Sequence, residues 1–170
     1  MLDSFSYLLI PANLDSYELI QNMARFYVYD ISRYCGFLPG WELPTNGLYE
    51  CFDLKNYLTD SDRYAFIIKI NNEKAGFILL NKIGSTSEVD WNIGEFFILA
   101  KFQGLGIGKK IAFEIFNKFK GKWEVAVIPE NKPALQFWRK IIFDYTNNNF
   151  SESRKTVEYP IPHPMLIFSF

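Results

Sequence analysis

The stretch from residue 93 to residue 110 constrains the fold more than any other, because a strand, a glycine-rich loop and a helix follow one another directly. The apolar run Phe96-Phe97-Ile98-Leu99 has the length and the aromatic and β-branched content of a buried strand. It leads into the glycine loop from Gln103 to Gly108. Apolar residues then recur at three- and four-residue steps from Ile111 to Phe119, which predicts an amphipathic helix.

A glycine loop that opens a helix is typical of an anion-binding site. The first amides of a helix have no acceptor within the helix, and the helix dipole adds positive potential at that end. Glycines at positions 106 and 108 leave the backbone bare there, so that a phosphate can approach the amides closely. The loop therefore predicts a ligand that carries phosphate.

Two familiar glycine loops are excluded by their spacing. A Walker loop needs a glycine where this chain has Gln103 and a Ser or Thr where it has Lys110. The dinucleotide-binding fingerprint fails at its third glycine, which would fall on Lys109 or Ile111. Neither an NTPase nor a dinucleotide-dependent enzyme is indicated.

The loop does fit the pattern Gln/Arg-x-x-Gly-x-Gly, and a second pattern follows it. Asn131 comes after the next predicted strand and begins Asn-x-x-Ala-x-x-Phe-Trp, which runs on to Phe143. Together the two patterns resemble the GCN5-related N-acetyltransferase (GNAT) family. The resemblance covers about residues 64–143, and it departs from the family at Trp138, where most members have Tyr, and at Ile142, where they usually have Gly.

The resemblance implies an α+β fold, the GNAT-like acyl-CoA N-acyltransferase fold, with a central mixed, mostly antiparallel twisted sheet flanked by helices. With 49% apolar residues the chain can bury a substantial core, and we expect one domain over residues 1–170. Strands are expected at residues 6–11, 63–70, 75–83, 91–99, 123–128, 143–150 and 165–170. Helices are expected from an Asp15 cap to residue 34, and at residues 50–58, 106–119 and 133–140, with a four-residue hairpin turn at 71–74.

The resemblance also implies that the chain binds acetyl-CoA as a cosubstrate. In the family, the exposed backbone of the strand before the loop pairs with the pantetheine arm, and the loop amides bind the pyrophosphate. The implied coenzyme-binding residues are Ile98, Leu99, Ala100, Gln103, Gly104, Leu105, Gly106, Ile107, Gly108, Lys109, Asn131, Ala134, Phe137 and Trp138. For Lys109 a solvated surface role, and for Asn131 a helix cap, are the structural alternatives.

Two residues are candidates for catalysis of direct attack by a primary amine. The resemblance places the N–H of Ile98 where it would polarise the thioester carbonyl. Glu95 interrupts an otherwise apolar strand and is the candidate base, or else a carboxylate that only lines the cleft or forms an ion pair. Side chains alternate along a strand, so Glu95 and Ile98 are expected on opposite faces unless a bulge intervenes.

Trp138 bears on how the leaving thiolate is protonated. The family's Tyr often protonates the leaving thiolate, whereas an indole N–H can donate a hydrogen bond but is not acidic enough to do so. Trp138 is then either part of the pantetheine wall or a core residue. The missing phenol also supports an alternative function, a non-catalytic acyl-CoA binding or sensing module.

The sequence specifies the acceptor substrate less closely than it specifies the coenzyme. Residues 27–64 are rich in aromatic side chains and carry several carboxylates, a combination that suits a cationic amine with apolar parts. We therefore expect a small-molecule or peptide amine as the acceptor. A homodimer is left open.

Composition narrows the partners, the location and the metal sites that we expect for this chain. Eighteen basic and nineteen acidic side chains give a net charge of −1, so neither nucleic acid nor a membrane is an expected partner. Two cysteines and a start without a signal-like segment predict a cytoplasmic protein. His163 is the single histidine, in a predicted loop, so no metal site is expected.

Overall fold

The computed structural model describes residues 5–158 and 162–170, and this part of the chain forms seven strands, four α-helices and two short 3-10 turns. The strands are β1 (Tyr7–Pro11), β2 (Tyr64–Ile70), β3 (Glu73–Asn81), β4 (Trp91–Ile98), β5 (Trp123–Val127), β6 (Ser151–Val157) and β7 (His163–Ser169). The helices are α1 (Tyr17–Cys35), α2 (Asn56–Thr59), α3 (Ile107–Lys118) and α4 (Lys132–Thr146). The domain expected over residues 1–170 also includes residues 1–4 and 159–161, which lie outside the described part.

The described strands form one sheet in the order β1-β2-β3-β4-β5-β7-β6. Each neighbouring pair is antiparallel except β4 and β5, which run parallel. A parallel pair needs a crossover connection, and α3 provides it between β4 and β5. The predicted mixed, mostly antiparallel sheet flanked by helices is confirmed.

The two faces of the sheet bury different clusters. Phe77 and Leu79 of β3 face α1, whereas Ile78 and Leu80 of the same strand face another layer. In that second layer α3 and α4 pack against the sheet, with Phe116 fully buried among them. Because side chains alternate along a strand, β3 serves both layers and is buried along most of its length.

The hairpin between β2 and β3 is tighter than predicted. Its turn contains Asn71 and Asn72, with φ angles of 48° and 67°, and β3 begins at Glu73. Asparagine tolerates the left-handed region, and a two-residue turn of this kind matches the twist of the flanking strands. The prediction of a four-residue turn at 71–74 was therefore wrong.

The start of α1 also differs from the prediction. The Asn13 side chain accepts a hydrogen bond from Asp15 N at 3.0 Å and caps a short 3-10 turn at Leu14–Ser16. The α-helix begins only afterwards, at Tyr17, and Ser16 makes no side-chain capping bond. Asp15 is thus inside the preceding turn and is not the cap.

The C-terminal elements differ most from the prediction. α4 does not end at residue 140 but continues to Thr146, and Asn147 and Asn148 then take positive φ angles of 52° and 66°. The helix continues because the tilted ring of Tyr145 packs against Phe116 of α3, with ring centroids 5.1 Å apart. The strand predicted at 143–150 was wrong, and β6 occupies Ser151–Val157, exposed along its whole length.

Residues 36–55 contain no helix or strand and are held in place by α1. The Gln21 side chain donates to the carbonyl oxygens of Cys51 and Phe52, and Arg25 Nη1 donates to the carbonyl of Tyr49 at 2.9 Å. Side chains of α1 therefore replace the backbone pairing that a regular element would give this segment. The helix predicted at 50–58 is reduced to the single turn of α2.

Candidate active site

β4 and β5 separate at the centre of the sheet. Their parallel pairing covers Trp91 with Trp123, Asn92 with Glu124, and Ile93 with Val125, and it stops there although β4 continues to Ile98. On its other side β5 pairs with β7 along residues 124–127. A wedge therefore opens between the C-terminal halves of two adjacent strands.

The backbone of Ile98 faces this wedge. Leu99 N donates to the carbonyl of Ala75 on β3 at 2.8 Å, and in an antiparallel pair successive residues point their amides to alternate sides. The N–H of Ile98 consequently points away from β3. Gln103 Nε2 donates to the Ile98 carbonyl at 2.7 Å, a contact that gives the loop glutamine a role that the motif alone did not reveal.

The glycine loop follows at the end of β4. Gly104 and Gly106 have φ angles of 76° and 75°, and no atom lies within 4 Å of where a Cβ would be at either residue. Gly106 is the N-cap of α3, so this open, left-handed backbone lies directly before the free amides of the helix. Gly108 is constrained differently, because a Cβ there would meet Phe137 at 3.0 Å.

α4 adjoins the loop through its first turns. Asn131 Oδ1 accepts a hydrogen bond from Ala134 N at 3.2 Å and caps the helix. Phe137 stacks on Phe96 with ring centroids 5.8 Å apart. Trp138 is buried in the core, tilted against Phe96 at 5.4 Å, a packing that favours the core alternative for this residue.

Lys109 lies on the surface of α3, where its Nζ pairs with Asp144 Oδ2 at 2.6 Å. The carboxylate already compensates the ammonium charge, so the surface alternative is favoured for this lysine. The amides of the loop and of the first turn of α3 remain the main source of positive potential there.

Glu95 projects from the opposite face of β4, on the side of α1. Burial, together with the charge of Glu95, raises the pKa of three groups from separate segments, Tyr27, Cys51 and Tyr57. Burial raises the pKa of the Glu95 carboxyl to about 7, while a hydrogen-bonding contact with the Tyr27 hydroxyl acts in the opposite direction. Burial and the charge of Glu95 raise the pKa of the Cys51 thiol to about 12.

A bulge is present in β4, but it lies upstream of both candidate residues. The β3–β4 register shifts between Leu79, which pairs with Glu95, and Leu80, which pairs with Ile93. The side chains of Glu95 and Ile98 therefore stay on opposite faces, as expected for regular alternation. Because a backbone N–H lies in the plane of the sheet, the amide of Ile98 is still reached from the wedge.

The structure also describes contacts that the sequence did not indicate. Asn81, buried at the end of β3, bonds to the hydroxyl of Tyr57 beside Glu95, and no motif marks it. His163, expected in a loop, begins β7 and contacts Glu130 at 2.9 Å. Asp53, one of the acceptor-segment carboxylates, already accepts a hydrogen bond from Tyr17 at 3.0 Å.

Among residues 5–158 and 162–170, none of the helices is both long and apolar enough to cross a membrane. In the same part of the chain, no three His, Cys, Asp or Glu side chains are placed to hold a metal ion.

Comparison with known proteins agrees with the sequence motifs. Residues 24–143 match the Acetyltransferase (GNAT) family, so the chain belongs to the GNAT acetyltransferase family. An acetyltransferase from Thermus thermophilus has a TM-score of 0.63 at 19% identity, with 97% of each chain covered. A spermidine N-acetyltransferase chimera from Vibrio cholerae and hSSAT has a TM-score of 0.62 at 16% identity, covering 96% of this chain and 94% of that one.

These structural neighbours show the fold alone at such identities, and no curated protein matches the chain in sequence. Family membership and fold together support an acyltransferase. The family resemblance that the two motifs indicated is confirmed.

Proposed function

We propose that this protein is an N-acetyltransferase that transfers the acetyl group of acetyl-CoA to a primary amine by direct attack in a ternary complex. The observation that carries the proposal is the wedge between β4 and β5, which leaves the Ile98 amide facing an opening beside the glycine loop. An unpaired strand edge is a natural template for a ligand that contains amide groups, as pantetheine does.

The residues of this region fit acetyl-CoA. Gly104 and Gly106 leave open space in front of the free amides of α3, where a pyrophosphate would be held by backbone N–H groups. We assign the backbone from Ile98, the last residue of β4, to Ala100, the first residue of a 3-10 turn, to the pantetheine arm, with Phe137 beside the loop as its wall. We call residues 98–108 the coenzyme side of the site.

The opposite face of β4 suits the acceptor. We call Glu95 together with Tyr27, Cys51 and Tyr57 the acceptor side of the site. An alkylamine has a pKa of about 10.4 and must lose a proton before it can attack. Glu95, whose pKa burial raises to about 7, is matched to take that proton near neutral pH.

Acetyl-CoA supplies an activated acetyl group as a thioester. The chain positions the amine near Glu95, accepts one of its protons there, and offers the Ile98 N–H to the oxygen on which negative charge develops. As the C–N bond forms the C–S bond breaks, and the nitrogen releases its second proton to water. The thiolate takes its proton from water, because the buried Trp138 has no acidic proton to give. We also propose a cytoplasmic location, in keeping with the free cysteines Cys35 and Cys51.

The alternative is a non-catalytic acyl-CoA sensor, and the buried Trp138 in place of the family's Tyr favours it. The test measures acetyl-CoA binding by calorimetry and thiol release on a panel of amines that includes monoamines, polyamines and peptide N-termini. Binding with amine-dependent thiol release is expected. Binding without release on any amine would support the sensor, and absence of binding would reject both functions.

A further inference from the structure

A buried hydrogen-bond network lies next to Glu95, around the side chain of Asn81. Its Oδ1 accepts from Ile83 N at 2.9 Å and from Asn92 Nδ2 at 3.2 Å. Its Nδ2 therefore faces the other way and donates to the hydroxyl of Tyr57 at 2.7 Å. With two donors on its oxygen, the orientation of the amide is fixed by its partners.

The Tyr57 hydroxyl in turn rests on the backbone of Gly94. A Cβ at Gly94 would lie only 2.2 Å from Tyr57 Oη and 2.9 Å from Asn81 Nδ2. Gly94 is also the extra residue of the β4 bulge, because its neighbours Ile93 and Glu95 pair with consecutive residues of β3. The network thus contacts the chain at the one irregular residue before Glu95.

A bulge sets the direction in which the next side chain leaves the strand. We propose that Tyr57 and Asn81 are positioning residues that hold the Gly94 bulge and so direct the Glu95 carboxylate toward the face of the sheet that α1 covers. This inference rests on the proposed function, in which Glu95 takes the amine proton. Tyr57 acts through Gly94 and does not itself exchange a proton with the acceptor.

The titratable groups around Glu95 come from three elements: Tyr27 of α1, Cys51 of the segment that α1 holds, and Tyr57 of α2. Burial raises the pKa of Tyr57, and the charge of Glu95 adds to that effect. All three neighbours are therefore neutral near pH 7. Water exclusion, more than a neighbouring charge, keeps the pKa of Glu95 high, and a loosened bulge would admit water and lower it.

The kinetic test compares Tyr57→Phe, Asn81→Ala and the double variant, with Tyr7→Phe as the control. Tyr7 lies on β1 and bonds to Glu114, so it tests the loss of a tyrosine hydroxyl elsewhere. We expect each single variant to lower kcat roughly tenfold at unchanged KM for acetyl-CoA, and the double variant to lose no more than either single one, because both break one network. The proposal would be overturned if the losses of the two single variants multiply in the double variant. It would also be overturned if each single variant loses no more activity than Tyr7→Phe.

A readout that does not depend on activity is the titration of the Glu95 carboxyl carbon by NMR in the wild type and Tyr57→Phe. We expect the midpoint of the Glu95 titration to move from about 7 toward that of an exposed carboxyl. The acidic limb of the plot of kcat against pH should move with it. An unmoved midpoint would reject the positioning role. If Glu95→Gln leaves the limb in place, the base assignment fails, while the NMR midpoint still decides the positioning role.

Discussion

The proposed coenzyme side and the proposed acceptor side meet at β4 but are built in different ways. The coenzyme side comes from one continuous stretch, residues 98–108, and depends on backbone amides and on glycines in left-handed conformations. The acceptor side combines Glu95 with side chains from α1, α2 and an irregular segment. A site made of backbone leaves a recognisable motif in the sequence, whereas a site made of distant side chains does not.

If this division is correct, changes on one side should leave the function of the other intact. Variants of the acceptor side should alter turnover and its pH dependence at constant coenzyme affinity. Variants of the coenzyme side should do the reverse. Three substitutions test this expectation, with decreasing effect on catalysis.

Glu95→Gln should have the largest effect. It keeps size and hydrogen-bonding reach but removes the proton acceptor, so kcat should fall by about 10²–10⁴-fold while acetyl-CoA affinity stays constant. In the wild type the rate should rise with pH as the carboxyl loses its proton, with a midpoint at about 7. This acidic limb should disappear in the variant, as measured by thiol release against pH.

Glu88→Gln is the matched control, because Glu88 is exposed and pairs with Lys122 away from the wedge. It should keep both the wild-type rate and the acidic limb of the plot of rate against pH. A Glu95→Gln variant that retains the wild-type rate, with a limb that follows the pKa of the amine substrate, would mean that water takes the proton before the amine binds.

Gly106→Val should act on the coenzyme side alone. A β-branched residue resists a φ angle of 75° and would place methyl groups in the open space before α3, so the Kd for acetyl-CoA should rise roughly tenfold or more. Calorimetry on the folded variant measures this effect.

Gly47→Val provides a close control. Gly47 has the same φ angle of 75° and the same lack of neighbours within 4 Å, but it lies in the irregular segment between α1 and α2. A similar loss of thermal stability with unchanged affinity is expected. Equal affinities in the wild type and Gly106→Val would show that the glycine loop serves the fold and not the ligand.

Trp138→Tyr should have the smallest catalytic effect. The side chain is buried against Phe96 and Phe116, so the change removes packing, lowers stability by about 1–3 kcal/mol and leaves kcat unchanged. Thermal unfolding and thiol release measure the two quantities. Trp138→Phe should show a similar loss of stability and an unchanged kcat. A gain in kcat with Tyr but not with Phe would identify protonation of the leaving group as the rate-limiting step.

The fold was predictable where local pattern and tertiary packing agree. The helix after the glycine loop was expected at 106–119 and observed at Ile107–Lys118, because its apolar stripe and its glycine cap lie in one stretch. The errors lie where tertiary contacts decide. α4 extends past residue 140 because Tyr145 packs on α3, and β6 is a polar strand without alternation that pairs with β7 through its backbone.

The sequence by itself determined the family and pointed to the proposed coenzyme side, because an anion site at a helix N-terminus needs glycines at fixed spacing and its residues are contiguous. It also singled out Glu95 as a carboxylate in an apolar strand. Only the tertiary structure decided what surrounds that carboxylate. The separation of β4 from β5, the burial that raises the pKa of Glu95, and the contact of Tyr57 and Asn81 with Gly94 all join residues far apart in the chain. Burial and hydrogen bonding between such residues exist only once the sheet and α1 have come together.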